Sequence, residues 1–130
     1  MAIAEILHDG SVRTLESLLQ PVDLGRDAFE TRRLSRKGIE RAAAVLRRFR
    51  RVLREYGIDS TNDIRVVATS AVREASNRVA FIDRVYVATG LDVEPIDEAE
   101  VNRITYMGIT PQLMALAETA ESKSLVVEVG

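Results

Sequence analysis

The sequence contains no cysteine and no long apolar run. The absence of cysteine excludes a disulfide framework and a cysteine-ligated metal, and it is typical of a reducing compartment. No apolar stretch approaches the roughly 20 residues that a bilayer-spanning helix needs, and no basic flank precedes the short apolar run at the N-terminus. We therefore expect a cytoplasmic protein that does not bind membranes.

The rest of the composition is that of a globular protein, with 46% hydrophobic and 29% charged residues among 130. This length has room for one domain. The charge is uneven, with eleven Lys and Arg against three acids from Arg26 to Arg54, and eight acids against two bases from Asp92 to Gly130. The basic part is either a surface for an anionic partner or a solvated helix face.

The first 22 residues predict a β-hairpin. Residues 1–7 are a candidate strand, and His8-Asp9-Gly10-Ser11 is a turn of the Asp-Gly kind. Residues 12–22 continue in an extended conformation. His8 is expected to be a solvated turn residue.

A long amphipathic helix is predicted after a polar loop over residues 23–34, with Ser35 as its cap and Gly57 at its end. Its apolar positions recur at spacings of three and four: Ile39, Ala43, Leu46, Phe49, Leu53 and Tyr56. The opposite face carries five arginines: Arg47, Arg48, Arg50, Arg51 and Arg54. Because the aromatics lie on the core stripe, none is left to stack bases beside these arginines, which argues against nucleic-acid binding.

The segment from Val66 to Arg78 carries the main functional signal. The apolar run 64–68 predicts a strand buried on both faces, and Thr69 and Ser70 place hydroxyls where that strand ends. A helix starting at this point would direct N–H groups and a positive dipole end toward an anion. Arg73 adds a planar donor, and Asn77 would follow four residues later on the same helical face. A capped helix with a surface arginine is the alternative.

The remaining sequence alternates helices with short strands. Residues 78–89 predict a helix ending at Gly90, and residues 91–96 a strand with Pro95 near its end. Asp97 and Glu100 form a capping pair for the next helix, which Thr110-Pro111 is expected to interrupt and restart. The last predicted strand covers residues 125–129. This alternation predicts an α/β fold with a mixed sheet.

The run Ala-Thr-Ser-Ala-Val-Arg-Glu-Ala-Ser-Asn-Arg, residues 68–78, resembles the signature of the exopolyphosphatase and guanosine pentaphosphate phosphatase family (Ppx/GppA). Further blocks resemble that family in the same order: Pro21-Val22-Asp23-Leu24-Gly25, Arg33-Leu34-Ser35, Thr89-Gly90-Leu91, Arg103-Ile104-Thr105-Tyr106-Met107-Gly108 and Leu125-Val126-Val127-Glu128-Val129-Gly130. The resemblance implies a ribonuclease-H-like domain of the actin-like ATPase superfamily. Residues 1–130 would form one incomplete N-terminal domain of this kind.

The resemblance also implies an activity, which is removal of terminal phosphates from polyphosphate or guanosine pentaphosphate, usually with magnesium. Substrate binding would fall to Thr69, Ser70, Arg73 and Asn77, and the longer protein could be a homodimer. Two phosphate loops of the family are absent: the Asp-x-Gly-Ser-Asn-Ser loop of its first strand and the glycine-rich loop that would follow Gly130. We therefore expect the chain to be a segment of a longer protein and inactive by itself.

One substitution bears on catalysis. Aligned on Arg103, the family's second glutamate, which resembles the base that activates water, corresponds to Val101, and valine cannot accept a proton. Glu100 is the nearby candidate base, although its capping position explains it without catalysis. Glu128 stands where the family has a metal- or water-associated aspartate, so it is a candidate catalytic residue and magnesium ligand. The alternative function is a catalytically degenerate member that binds nucleotide or polyphosphate as a regulatory module.

Overall fold

The computed structural model describes residues 1–116. These form four strands and five α-helices: β1 (Ala2–Ile6), β2 (Val12–Ser17), α1 (Leu24–Thr31), α2 (Arg36–Glu55), β3 (Val66–Ala68), α3 (Ser70–Arg73), α4 (Arg78–Thr89), β4 (Val93–Pro95) and α5 (Glu98–Leu116). The chain divides into two compact units, Met1–Ile96 and Asp97–Gly130. No helix within the described residues is long and apolar enough to cross a membrane.

The predicted hairpin is confirmed. Strands β1 and β2 pair antiparallel, from Ala2 opposite Ser17 to Ile6 opposite Val12. Gly10 adopts φ +81°, a conformation that glycine reaches without steric cost. The carboxylate of Asp9 accepts hydrogen bonds from the backbone and hydroxyl of Ser11, which stabilises the turn.

Strands β3 and β4 form a parallel pair in which Ala68 lies opposite Pro95. The N–H of Ile96 donates to the Ala68 carbonyl at 2.9 Å and extends the pairing by one residue. Pro95 is the last residue of its strand, as predicted. The prediction that residues 64–68 are buried on both faces is wrong at Val67, which is 44% exposed. Within the described residues, β3 pairs with β4 alone.

The core of the first unit lies between α2 and α4 and extends over the parallel strands. Ala43 and Val85 are fully buried, and Phe81 is 4% exposed. Both oxygens of Glu40 accept from the Arg84 guanidinium at 2.8 and 2.9 Å, which ties the two helices together at the surface. The predicted burial of the apolar positions of α2 is wrong at the last of them, Tyr56.

Tyr56 is 43% exposed rather than buried. It follows the last helical residue, and its hydroxyl donates to the Glu16 carboxylate of β2 at 3.3 Å. A tyrosine can bury part of its ring while its hydroxyl reaches a polar partner at the surface. The apolar spacing in the sequence therefore extends one turn beyond the residues of α2 that are buried.

The predicted loop over residues 23–34 is wrong, because α1 occupies most of it. The charged residues of this segment are exposed apart from the half-buried Asp27, while Ala28 packs into the core. The helix ends at Arg32, which adopts φ +53° and donates its N–H to the Ala28 carbonyl. A left-handed non-glycine residue ends this helix, so the sequence gives no glycine signal for it.

The second unit begins with the predicted cap, since the Asp97 carboxylate accepts from the Glu100 N–H at 2.8 Å. The predicted interruption at Pro111 is wrong: α5 continues through this proline. Proline removes one helical N–H, and the Thr110 hydroxyl donates to the Tyr106 carbonyl at 2.7 Å within the same turn. The predicted strand 125–129 lies outside the described residues.

Candidate phosphate site

The predicted binding segment begins where β3 ends. Thr69 keeps an extended backbone, and its carbonyl accepts from the N–H groups of Val72 and Arg73 at 3.1 and 3.0 Å. The N–H groups of Ser70 and Ala71 come before these first helical bonds. Like other N–H groups at the start of a helix, they have no acceptor within the helix and require one outside it. This one-turn helix thus presents backbone donors at the carboxyl end of a parallel strand.

Arg73 lies at the same edge. One guanidinium nitrogen donates to the carbonyl of Ile96, directly after β4, at 2.9 Å. The other terminal nitrogen donates to the Glu74 carboxylate at 3.3 Å. The Arg73 side chain is 27% exposed, whereas that of Glu74 is 61% exposed. A backbone carbonyl therefore orients the guanidinium, and its carboxylate partner is well hydrated.

Asn77 does not continue the helix that carries Arg73. The expected continuous helical face is wrong because α3 ends at Arg73 and α4 begins at Arg78. The Asn77 amide oxygen accepts from the N–H of Leu34, and the amide nitrogen donates to the Leu34 carbonyl, both at 2.9 Å. Both bonds of the Asn77 amide therefore go to the backbone of another part of the unit and not to its own helix.

The neighbouring serine makes a parallel contact. The backbone N–H and the hydroxyl of Ser76 both donate to the Arg32 carbonyl, at 2.8 and 3.0 Å. Together, Ser76 and Asn77 hold the turn Arg32–Leu34 between α1 and α2. We refer to these contacts as the 76–77 clamp. The sequence contained no signal for it, because its partners are backbone groups more than forty positions away.

The predicted binding residues do not all face one cavity. Thr69 lines a cavity of about 380 Å³ together with apolar residues of α2 and β3, whereas Ser70, Arg73 and Asn77 lie outside its lining. The structure brings Thr69, Ser70 and Arg73 together within one short turn. It places Asn77 at the start of α4, bonded to another part of the unit.

The candidate catalytic positions lie in the second unit. Both oxygens of Glu100 accept from the Arg103 guanidinium at 2.7 Å, and this pairing raises the pKa of Arg103. Val101, the residue at the predicted base position, is half-buried in the first turns of α5. Glu128 lies outside the described residues. Glu100 therefore has two separate partners: its backbone N–H donates to the Asp97 carboxylate, and its own carboxylate pairs with Arg103.

The described residues contain no group of three or more His, Asp or Glu side chains placed to hold a metal. Magnesium commonly binds through one or two carboxylates and substrate phosphates.

Solved structures identify the class of fold. A Ppx/GppA family member from Aquifex aeolicus superposes with a TM-score of 0.74 at 30% identity, over 87% of this chain and 36% of that one. An exopolyphosphatase from Cytophaga hutchinsonii gives 0.68 at 32% identity, over 75% of this chain and 30% of that one. The fold is thus the α/β, ribonuclease-H-like fold of the actin-like ATPase superfamily, represented in part.

The family follows from the sequence comparison. The model of the Ppx/GppA phosphatase family matches residues 3–130, so the chain belongs to that family. A bifunctional 3-dehydroquinate synthase/phosphatase of Fusobacterium nucleatum is 29% identical over 84% of this chain. A guanosine-5'-triphosphate,3'-diphosphate pyrophosphatase of Aliivibrio fischeri is 27% identical over 94% of it. The chain spans 17% and 23% of these two relatives.

Proposed function

We propose that this chain supplies part of the phosphate-binding edge of a phosphatase acting on terminal phosphoanhydride bonds of polyphosphate or guanosine pentaphosphate. The observation that carries the proposal is the Arg73 guanidinium, which the Ile96 carbonyl orients at the carboxyl end of the parallel strands. Ligands of open α/β sheets bind at this end. Family membership supports a phosphorylated substrate.

The chemistry of the edge suits a phosphate group. The bonds to Ile96 and Glu74 use two of the five N–H donors of Arg73, and guanidinium groups bind phosphate through paired donors. The N–H groups of Ser70 and Ala71 and the hydroxyl of Thr69 add neutral donors within the same turn. Asn77 remains a predicted ligand through the second hydrogen of its amide.

Binding of tripolyphosphate, measured by calorimetry at low and moderate salt, tests this site. We expect Arg73→Ala to weaken binding by about tenfold or more, because charge-assisted hydrogen bonds contribute about 1.5–3 kcal/mol. Arg48→Ala removes the same charge from an exposed position of α2 and is the matched control. Equal losses in the two variants would assign binding to the general basic surface of α2 and would overturn the proposed site.

Hydrolysis is expected to require more than residues 1–130. Charge that develops on the transferred phosphoryl group is stabilised by positioned donors and cations, and the two phosphate loops of the family are absent from this sequence. Magnesium, when bound, would neutralise phosphate charge. We expect no phosphate release from polyphosphate or guanosine pentaphosphate above a buffer blank. Release that Arg73→Ala abolishes would contradict this expectation.

A catalytically degenerate, phosphate-binding member is the second candidate, and the pairing of Glu100 with Arg103 favours it. An ion-paired carboxylate is a weaker base, and Val101 cannot act as one. In a protein that joins this segment to both phosphate loops, Val101→Glu should raise hydrolysis by about a hundredfold to ten-thousandfold if position 101 faces the substrate. If folded Glu100→Gln instead abolishes activity and Val101→Glu adds none, Glu100 is the base.

We also propose a cytoplasmic location, which the absence of cysteine supports.

A homodimer of the longer protein is expected from the family resemblance. Light scattering of the longer protein would test the dimer. A monomer at micromolar concentration would contradict it.

A further inference from the structure

Phe29 is the exposed phenylalanine of the first unit. Of the three phenylalanines in the sequence, Phe81 is 4% exposed and Phe49 is half-buried, whereas Phe29 is 72% exposed on α1. Its exposed neighbours on that helix, Arg26 and Glu30, are charged, so on α1 the ring is not part of a contiguous apolar patch of the kind that binds proteins. The ring therefore contributes little to the core of the unit.

The side of α1 that carries Phe29 is turned away from α2. The Asp27 carboxylate accepts from the N–H of Ser35 at 3.1 Å, at the start of α2, and Ala28 packs into the core. Successive residues of an α-helix are about 100° apart, so the side chain of Phe29 lies about 200° from that of Asp27. Because α2 occupies the Asp27 side, the ring is on the side of α1 that is open to a ligand.

The ring of Phe29 adjoins a residue that shares a cavity with the proposed phosphate-binding edge. Its Cε2 atom is 3.6 Å from the point that a Cβ atom of residue 25 would occupy, so the ring rests against Gly25. Gly25 lines the cavity of about 380 Å³ together with Thr69 and Ala71, which lie at the start of α3. Helix α1 also packs against α3. The exposed ring and the proposed phosphate donors are therefore close in space.

Both ends of α1 are held in place relative to that edge. Leu24 and Gly25, at its start, line the shared cavity. Its end is fixed by the 76–77 clamp, in which the N–H of Ser76 donates to the Arg32 carbonyl at 2.8 Å. A group that is positioned before the ligand arrives binds it at a lower entropic cost. The ring of Phe29 is thus carried by a helix whose position the fold determines.

We propose that Phe29 stacks on the base of a nucleotide whose phosphates bind at the Arg73 edge, and that it determines specificity for nucleotide-linked phosphates. This inference rests on the proposed function. Every nucleobase has a π face that stacks on an aromatic ring, whereas a phosphate chain without a base makes no use of the ring. Of the two proposed substrates, this arrangement favours guanosine pentaphosphate over polyphosphate.

Calorimetry of the whole chain with guanosine triphosphate and tripolyphosphate tests the proposal, because both ligands carry three linked phosphates and one of them has a base. We expect Phe29→Ala to weaken binding of guanosine triphosphate by about fivefold or more and to leave that of tripolyphosphate unchanged. Tyr86→Ala removes an aromatic ring that is 53% exposed on α4 and is the matched control, which should change neither affinity.

Two conservative variants separate stacking from packing. Phe29→Leu keeps an apolar side chain against Gly25 but has no aromatic face, so it should lose affinity for guanosine triphosphate as Phe29→Ala does. Phe29→Tyr keeps the face and should retain the affinity. The ring protons of Phe29, followed by NMR, should shift with guanosine triphosphate and not with tripolyphosphate. Circular dichroism confirms that each variant is folded.

The outcomes separate failure of this inference from failure of the proposed function. If Arg73→Ala weakens both ligands while Phe29→Ala weakens neither, or weakens both equally, the stacking role is wrong and the phosphate site stands. Full affinity in Phe29→Leu would show an apolar contact in place of stacking and would also overturn the inference. If Arg73→Ala weakens neither ligand, or neither ligand binds, the proposed function fails and the inference fails with it.

Discussion

The two halves of the segment Thr69–Asn77 differ in what their polar groups contact. In the first half, the donors of Ser70 and Arg73 gather at the carboxyl end of β3, and the guanidinium is oriented by one carbonyl. In the second half, the side chains of Ser76 and Asn77 bond to the backbone of Arg32–Leu34. The polar residues of one signature therefore divide between the proposed phosphate-binding edge and a structural clamp. Assays of this segment have to separate binding from folding.

The largest effect on stability is expected in the second half of this segment, which carries the 76–77 clamp. Asn77→Ala leaves the partly buried N–H and C=O of Leu34 without their side-chain partner, and we expect a loss of about 2–3 kcal/mol in unfolding free energy. Urea denaturation of the chain measures it. Asn62→Ala, at an exposed asparagine, is the control and should change stability by less than about 0.5 kcal/mol. An unaltered urea midpoint for Asn77→Ala would contradict the conclusion that Asn77 is part of a structural clamp.

In the first half of this segment, which carries Arg73, we expect substitutions to affect phosphate binding rather than folding. Arg73→Lys keeps the charge but loses the planar fork, so it should weaken tripolyphosphate binding several-fold, less than Arg73→Ala does. Calorimetry measures the affinity, and urea denaturation of the same variant should show a smaller loss of stability than Asn77→Ala. If Arg73→Lys destabilises the chain as much as Asn77→Ala, both halves are structural.

Within the clamp, a partial deletion sharpens the comparison. Ser76→Ala removes the hydroxyl bond to the Arg32 carbonyl but keeps the backbone bond to the same atom. We expect a loss of about 0.5–1 kcal/mol, since the acceptor retains one partner. The measurement is again the urea midpoint, with tripolyphosphate affinity unchanged. A weakened affinity would assign Ser76 to the binding half.

The smallest effect concerns pH. Hydrogen bonds from the hydroxyl and the backbone N–H of Ser35 hold the pKa of Asp27 below its ordinary value of 3.8. A carboxylate with a depressed pKa stabilises the fold above pH 3.8, and that contribution disappears as the pH falls through the folded-state pKa. Asp27→Asn should therefore differ from the parent chain at pH 6 and converge with it near pH 2–3.

Urea midpoints between pH 2 and 6 check this prediction. A difference that persists unchanged at low pH would assign the contribution of Asp27 to its shape rather than to its charge. Asp27 accepts from the N–H of Ser35, the residue that follows the turn held by the 76–77 clamp, so this outcome also tests how the start of α2 is stabilised.

Helices and strands could be predicted from the sequence where the spacing of apolar residues matches the face that is buried in the structure. The Asp-Gly turn predicted the hairpin, and the apolar spacing predicted α2 and α4, because one face of each element is buried. Helix α1 was missed since its charged exposed residues outnumber its buried ones, and a left-handed arginine ends it in place of glycine. The donors near Thr69 were predicted from residue types, whereas the clamp depends on backbone groups that only the folded chain brings together.

The distance along the chain that the 76–77 clamp bridges has a consequence for folding kinetics. Asn77 and Leu34 are 43 positions apart, so their bonds form only after the intervening helix and strand have closed a long loop. Such non-local contacts tend to form late, after the folding transition state has been passed. Loss of the clamp should then accelerate unfolding while leaving the folding rate nearly unchanged. The lifetime of the folded state, more than the speed of reaching it, would depend on one asparagine side chain.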